Sequence, residues 1–382
     1  MNPTSKLTIK SQWSSSDVLT SFGWAVHSWD ADEDLNLERG VTTSTAITNE
    51  FLVLKPSVLL EGGSYTFRMT ATNRYGKLHS GTINVTAGRP PSSGMLVSVP
   101  LNGTALRDTF HLSTGNWTND DISFPLVYKF FYMTSEGESV NLREFSTSTN
   151  LSSPLPLGHS GGNYGLPVGV YAQDYIEATA WLNMTLTVVP PSLTTVLSVV
   201  SEATSDVSDL LDAGDSDTAL VLIQASASVL NLVLESTSDD DGSLGGDGNG
   251  NFSSAILRSD LIVHTLDIAS DVENTAGVES AAVCIKSLTS VAPASMAAED
   301  QANALDAIVA LANASAALAS VSSTAATASI LAISNLITGG VLTTSTAGST
   351  TKTMNEAVAQ LNSALTVTAW QTLRSPTSYC GA

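Results

Sequence analysis

The stretch YTFRMTATN, residues 65–73, alternates apolar and polar side chains along its length. Successive side chains of a strand point to opposite faces, so Tyr65, Phe67, Met69 and Ala71 share one face and Thr66, Arg68 and Thr70 the other. Asn73-Arg74-Tyr75-Gly76 supplies a turn, and a second strand follows with Ile83, Val85 and Ala87 on its inward side. A hairpin with one dry and one wet face is the building unit of an antiparallel β-sandwich.

The same pattern returns further along. FRMTATN (67–73) aligns with VGVYAQD (168–174), which sets Ala71 over Ala172 and Asn73 over Asp174. Each block is followed by a strand and a double proline, INVTAGRPPS (83–92) and LTVVPPS (186–192). An offset of about one hundred residues is the size of a fibronectin-type or immunoglobulin-like sandwich. The expected organisation is a first sandwich over 1–90 and a second over 91–191, joined at Pro90-Pro91. Proline lacks an amide donor and restricts the residue before it, so the joint should be extended and resist bending.

Composition changes at Pro190-Pro191. Most aromatic residues precede it, and long Ala/Leu/Val/Ser runs follow. In DTALVLIQASASVLNLVLES (217–236), Ala219, Ile223, Ala227, Leu230 and Leu234 recur at helical steps, with Ser216 or Asp217 placed to cap the start. Further helical runs fall near 192–212, 252–272, 278–291, 295–320, 322–337 and 352–373. The fold class expected is therefore β plus α and multidomain: two tandem fibronectin-III/Ig-like β-sandwiches followed by an all-α helical domain, 192–382, packed as a bundle or array.

Charge excludes several partners. The chain of 382 residues carries 36 acids against 15 bases, a formal net charge of −21. Nucleic acid and anionic membrane surfaces both require a basic footprint, which is absent. Between Arg258 and Lys352 only Lys286 carries a positive side chain. The two cysteines, Cys284 and Cys380, allow at most one bridge, and Cys284 sits in the apolar run AAVCIKSL as a buried thiol would. Residues 307–351 carry no charge, yet LASVSSTAATASILAISNLI (318–337) is diluted by Ser, Thr and Asn, which favours a buried soluble helix over a span. MNPTSKLTIKSQW lacks the regions of a signal peptide, which leaves an intracellular protein or a piece of a longer one.

Four motifs invite chemistry. Gly158-His159-Ser160-Gly161-Gly162 satisfies G-x-S-x-G, but a nucleophile elbow needs a buried strand before the serine and a helix after it. Here Pro154 and Pro156 precede it and the strand Val168-Gly169-Val170 follows, so a glycine-rich loop is expected and no catalytic residue is assigned. Asp239-Asp240-Asp241-Gly242 through Asn249 is acidic, but neither register of a calcium loop places its glycine and glutamate correctly, so residues 237–251 read as a solvated linker without metal. His111-Leu112-Ser113 matches a self-cleavage tripeptide of adhesion receptors, but its alternation with Phe110 is that of an ordinary strand. Seven N-x-[S/T] sequons occur, at Asn84, Asn102, Asn116, Asn150, Asn183, Asn251 and Asn313. The first five are the candidate glycan acceptors, and Asn84 and Asn183 alternate with inward neighbours and so face solvent.

The β-rich half resembles the REJ ("receptor for egg jelly") module of polycystin-type proteins. EFLVLKPSVLLEGGSYTFRMTATNRYGK (50–77), RPPSSGMLVSVPLNGTALRDTFHLSTGNWTNDD (89–121) and PLVYKFFY (125–132) carry the likeness. Its marks are the Gly-Gly-Ser-Tyr-Thr-Phe strand, the Pro-Pro-Ser-x-Gly junction, Gly103-Thr104-Ala105-Leu106, Trp117 followed by acids, and Pro125-Leu126-x-Tyr128. Gly214-Asp215 and ALVLIQASASVLN (219–231) resemble the helical segment that leads into an autoproteolysis-inducing (GAIN-like) fold in these proteins. Animal relatives often carry cysteines near Met95 and Ser113-Thr114, and this chain has none there. The resemblance implies a non-enzymatic, cofactor-free glycoprotein region, a fragment of a larger membrane protein's ectodomain. Its setting would be extracellular or cell-surface, cilia and flagella included. Its partner would be a protein or glycan ligand, with membrane contact only through parts of the parent outside this chain. The competing reading is a soluble intracellular scaffold of the same elements.

Overall fold

The computed structural model describes residues 1–12, 19–28, 35–119, 125–238, 249–291, 296–318 and 322–338. Five strands form the first sandwich: β1 (Leu7–Lys10), β2 (Leu19–Ser28), β3 (Phe51–Leu54), β4 (Ser64–Asn73) and β5 (Leu78–Thr86). β1 pairs with β3, and β4 lies between β2 and β5, all antiparallel. The alternation of β4 places Tyr65, Phe67 and Met69 in one buried cluster with Trp24, Leu52 and Leu54, and Ala71 is buried on the same face. The polar edges of these aromatics are satisfied: Trp24 Nε1 donates to the Asn49 carbonyl at 3.0 Å, and the Tyr65 hydroxyl accepts from the Leu60 amide at 2.8 Å.

Eight strands follow: β6 (Met95–Val99), β7 (Asn102–Thr104), β8 (Phe110–Gly115), β9 (Val127–Met133), β10 (Ser139–Ser146), β11 (Asn150–Ser153), β12 (Gly165–Gln173) and β13 (Thr179–Val189). They make a three-stranded sheet, β11-β8-β6, and a five-stranded sheet, β10-β9-β12-β13-β7. The chain passes from the first sheet at β6 to the second at β7, which pairs parallel with β13. Val168, Val170 and Ala172 are fully buried against Phe110, Leu112 and Phe130 between the two sheets.

The internal repeat is present at the level of the ladder. Tyr65 pairs with Val85 and Leu166 with Leu186, so both hairpins keep one register at an offset of 101. Their turns match atom for atom. Asn73 Oδ1 accepts from the amides of Tyr75 (3.0 Å) and Lys77 (2.9 Å), and Asp174 Oδ1 accepts from those of Ile176 (3.0 Å) and Ala178 (2.8 Å). The fourth residue is left-handed in each, Gly76 at φ 79° and Glu177 at φ 63°.

Pro90-Pro91 is only part of the joint. The Asn2 side-chain amide donates to the Glu177 carbonyl at 2.7 Å, across the two sandwiches. The amide of Gly88 donates to the Met1 carbonyl at 2.8 Å, and the Ile176 side chain rests on Gly88, where a Cβ would lie 2.2 Å from Ile176 Cδ1.

Six helices complete the described chain: α1 (Val196–Asp212), α2 (Ser216–Ser238), α3 (Asn249–Asp271), α4 (Thr275–Thr289), α5 (Ala298–Ala317) and α6 (Ser323–Thr338). The helical run expected at 352–373 lies outside the described residues. Two expectations for α2 need correction. Its cap is Asp215, one residue before the expected Ser216, and Asp215 Oδ1 accepts from the Thr218 amide at 3.1 Å just after the chain turns at Gly214. Its burial is not a stripe either: Leu220, Val221, Leu222, Ile223, Gln224, Ala225, Ser226 and Ala227 are all buried in succession. A helix covered on every side is the centre of a bundle. α2 is also the one described helix long and apolar enough to cross a membrane, a test that such central helices pass; α6, the tract questioned above, has 16 residues.

The helices do not stand apart from the second sandwich. One continuous buried cluster runs from Phe110, Tyr132 and Val170 through Val200 and Ile223 to Ile285 and Leu311. The first sandwich keeps a cluster of its own.

Candidate functional site

Ser160 opens a single 3₁₀ turn, Ser160–Gly162, between β11 and β12. The loop is closed by backbone bonds: His159 N donates to the Gly165 carbonyl at 3.1 Å, and Tyr164 N donates to that of His159 at 2.9 Å. Gly158 is required there because a Cβ would sit 1.9 Å from the Tyr164 carbonyl oxygen. The chain leaves the turn as a strand, so the elbow geometry of a hydrolase is not built. The loop is instead tied to the bundle, the Leu157 amide donating to Ser228 Oγ of α2 at 3.0 Å.

Two imidazole–hydroxyl contacts stand elsewhere. His111 Nδ1 lies 2.7 Å from Ser152 Oγ across the β8–β11 ladder, on an exposed face, and His264 Nε2 lies 3.3 Å from Ser208 Oγ between α3 and α1. His111-Leu112-Ser113 is regular strand, with Leu112 buried and His111 outside. Cys284 is buried and free, its thiol directed at the Leu220 carbonyl at 3.4 Å, and burial pushes its pKa well above the usual thiol range. Such a thiol is neither nucleophile nor metal ligand at neutral pH. Cys380 and residues 239–248 of the acidic stretch lie outside the described residues.

Among the seven sequons, Asn84, Asn102, Asn116, Asn150, Asn183 and Asn313 are exposed. Asn84 and Asn183 sit on the outer faces of β5 and β13, as the alternation requires. Asn116 follows β8 and Asn150 opens β11, both in the sheet that contains β6, while Asn102 opens β7 of the other sheet. The outward face of β6 leaves Met95, Val97 and Val99 exposed.

A charged contact between sandwich and helices was not foreseen. Lys286 of α4 reaches back to the β9–β10 turn, where its Nζ contacts Glu136 and lies 2.8 Å from Glu138 Oε2. Burial alone would lower the Lys286 pKa, but the hydrogen bonds it donates to Glu136 and Glu138 reverse this and hold it above the ordinary value. A signal for it existed in the long cation-free run in which Lys286 stands alone. Arg258 makes a different tie, within the helical part and to neutral acceptors. It is buried, and Nη1 donates to the carbonyls of Leu288 and Val291 at 2.8 Å each, while Nη2 donates to Asn231 Oδ1 at 3.0 Å. Desolvation lowers its pKa to about 10, and these acceptors hold the end of α4 against α2 and α3. Both charges are used in packing. Among the described residues no group of three His, Cys, Asp or Glu is placed to hold a metal.

Human polycystin-1 is 33% identical over 108 residues, which are 28% of this chain and 2% of that protein, so the chain spans a small part of that relative. Two solved structures overlap 49% of the chain. An amphioxus IgVJ-C2 molecule does so at 10% identity and a TM-score of 0.19, with 98% of that chain covered. Murine CEACAM1b does so at 13% and 0.22, with 94% covered. The sandwich assignment itself rests on the ladders described above. The REJ domain matches residues 1–225, both sandwiches, α1 and the start of α2, and the chain belongs to that family.

Proposed function

We propose that this chain is part of the extracellular region of a polycystin-like membrane protein, where it acts without catalysis as an adhesive or ligand-contacting spacer. The observation that carries the reading is the joint. The two sandwiches are held end to end by Asn2 on Glu177 and Ile176 on Gly88, beyond the tether at Pro90-Pro91. A spacer must fix the distance and angle between its ends, and a tether alone would leave module motion as the default. The six exposed sequon asparagines and the acidic surface suit a glycan-bearing exterior.

The test is expression through a secretory pathway behind an added leader, followed by glycosidase digestion. The expected result is a mass shift that falls stepwise as Asn84, Asn102, Asn116, Asn150 and Asn183 are changed to Gln. Secreted, folded protein without glycan at any of these positions would count against the extracellular assignment and favour the intracellular scaffold.

A further inference from the structure

We propose that the β4–β5 turn, Asn73–Lys77, is a docking element for a further β-sandwich of the same kind, placed ahead of the first one in a longer polypeptide. The inference rests on the geometry of the joint and not on the extracellular reading.

The β12–β13 turn shows what this backbone does when it is docked. Ile176 lies on Gly88 of the preceding sandwich, and the Glu177 carbonyl accepts from Asn2 at 2.7 Å. The β4–β5 turn has the same acceptor pattern at its first residue and the same left-handed fourth residue. Tyr75 therefore occupies the place of Ile176, and Gly76 that of Glu177. Yet Tyr75 is 70% exposed, with the Arg74 guanidinium 4.7 Å from its ring centroid. An aromatic ring steadied by a cation at the tip of a turn, at the end of the first sandwich away from the second, matches the anchors that proteins bury at interfaces.

The occupant is constrained by the socket. Ile176 fits because Gly88 has no side chain. In the second sandwich the ladder offset of 101 puts Val189 at that position, and its side chain would fill the space. A second copy of this chain thus offers no vacant socket of this kind, since its Gly88 is already covered by Ile176. What fits is a sandwich ending in a glycine at this position, followed by a short extended joint. The match to polycystin-1 over 2% of its length leaves room for such a module.

The experiment fuses residues 1–101 of the chain ahead of Met1, so that Leu101 precedes Met1 as it precedes Asn102, the residue that the offset of 101 places over Met1. The added copy carries Tyr75→Phe, which separates its peptides by mass and leaves its own turn undocked as an internal control. Amide exchange over residues 74–78 of the body should slow at least tenfold relative to the 382-residue chain. Gly88→Val in the added copy should cancel the effect. Unchanged exchange in a fusion whose added 67–71 amides are protected overturns the proposal. A second measurement needs no fusion: Gly88→Val in the chain itself should speed exchange over 175–178 at least tenfold. No change there removes the docked-turn geometry and the proposal with it, whether or not the added module folds.

Discussion

Lys286 joins two parts of the fold with one side chain. It is largely buried, and both carboxylates it meets come from the β9–β10 turn, about 150 residues away in sequence. Lys286→Met keeps the stem and removes the charge, and should cost about 1–2 kcal/mol at neutral pH, the outer partner Glu136 being half exposed. The sign with pH follows from the raised folded-state pKa. The contribution is complete below the unfolded lysine value of about 10.4 and fades as pH rises through the folded value. Urea unfolding of both proteins at pH 7 and pH 11 should show the gap narrow at the higher pH; a gap that widens would remove the ion pair as its cause. Arg258→Met leaves Asn231 and two helix-end carbonyls without their donor, and should cost about 3 kcal/mol at any pH below 10, read as a lower urea midpoint at constant slope. Sequence could mark Lys286 and Arg258 as isolated cations but not name their partners, because long-range ion pairs have no period. Asn73 and Asp174 are the opposite case: their role is local, and aligning two seven-residue blocks was enough to pair them.

Strands and helices differ in how much of their burial the chain reveals. A half-buried strand displays its inside by alternation, so Tyr65, Phe67, Met69 and Ala71 could be placed before any fold was known. α2 could not be read in this way, since a helix covered on all sides has no polar face to set its phase. Its stripe was one line through a surface that is buried throughout. The loop at Ser160 shows why context outranks motif. The pentapeptide is satisfied, but the turn is 3₁₀ and leads into β12. Ser160→Ala should leave stability within about 0.5 kcal/mol and alter no esterase or protease activity. A fluorophosphonate probe that labels Ser160 would contradict this. Gly158→Ala, two residues earlier, should be the damaging change, because its methyl group meets the Tyr164 carbonyl.

At the scale of the whole molecule, the distribution of buried clusters decides what unfolds with what. Sequence suggested three units separated by composition and double prolines. The first sandwich has its own cluster, centred on Phe67, Leu52 and Leu54. The second sandwich shares one with the helices, through Val196 and Val200 of α1 and the contacts of α2 and α4 with β10. Composition shifts abruptly at Pro190-Pro191 but packing does not, since apolar area on a sheet and on a helix is interchangeable once both are buried. Phe67→Asp places a carboxylate in the smaller cluster at a cost of about 4 kcal/mol or more, enough to unfold a sandwich of this size. Amide protection over 65–71 should be lost while that over 168–172 and 219–230 persists. Phe130→Asp should do the reverse and remove protection from the second sandwich and the helices in a single transition, leaving 65–71 folded. If Phe130→Asp spares the helices, the shared cluster is not cooperative, and the helices fold on their own; if Phe67→Asp removes protection everywhere, the joint at Asn2 and Gly88 couples all of the described fold into one unit.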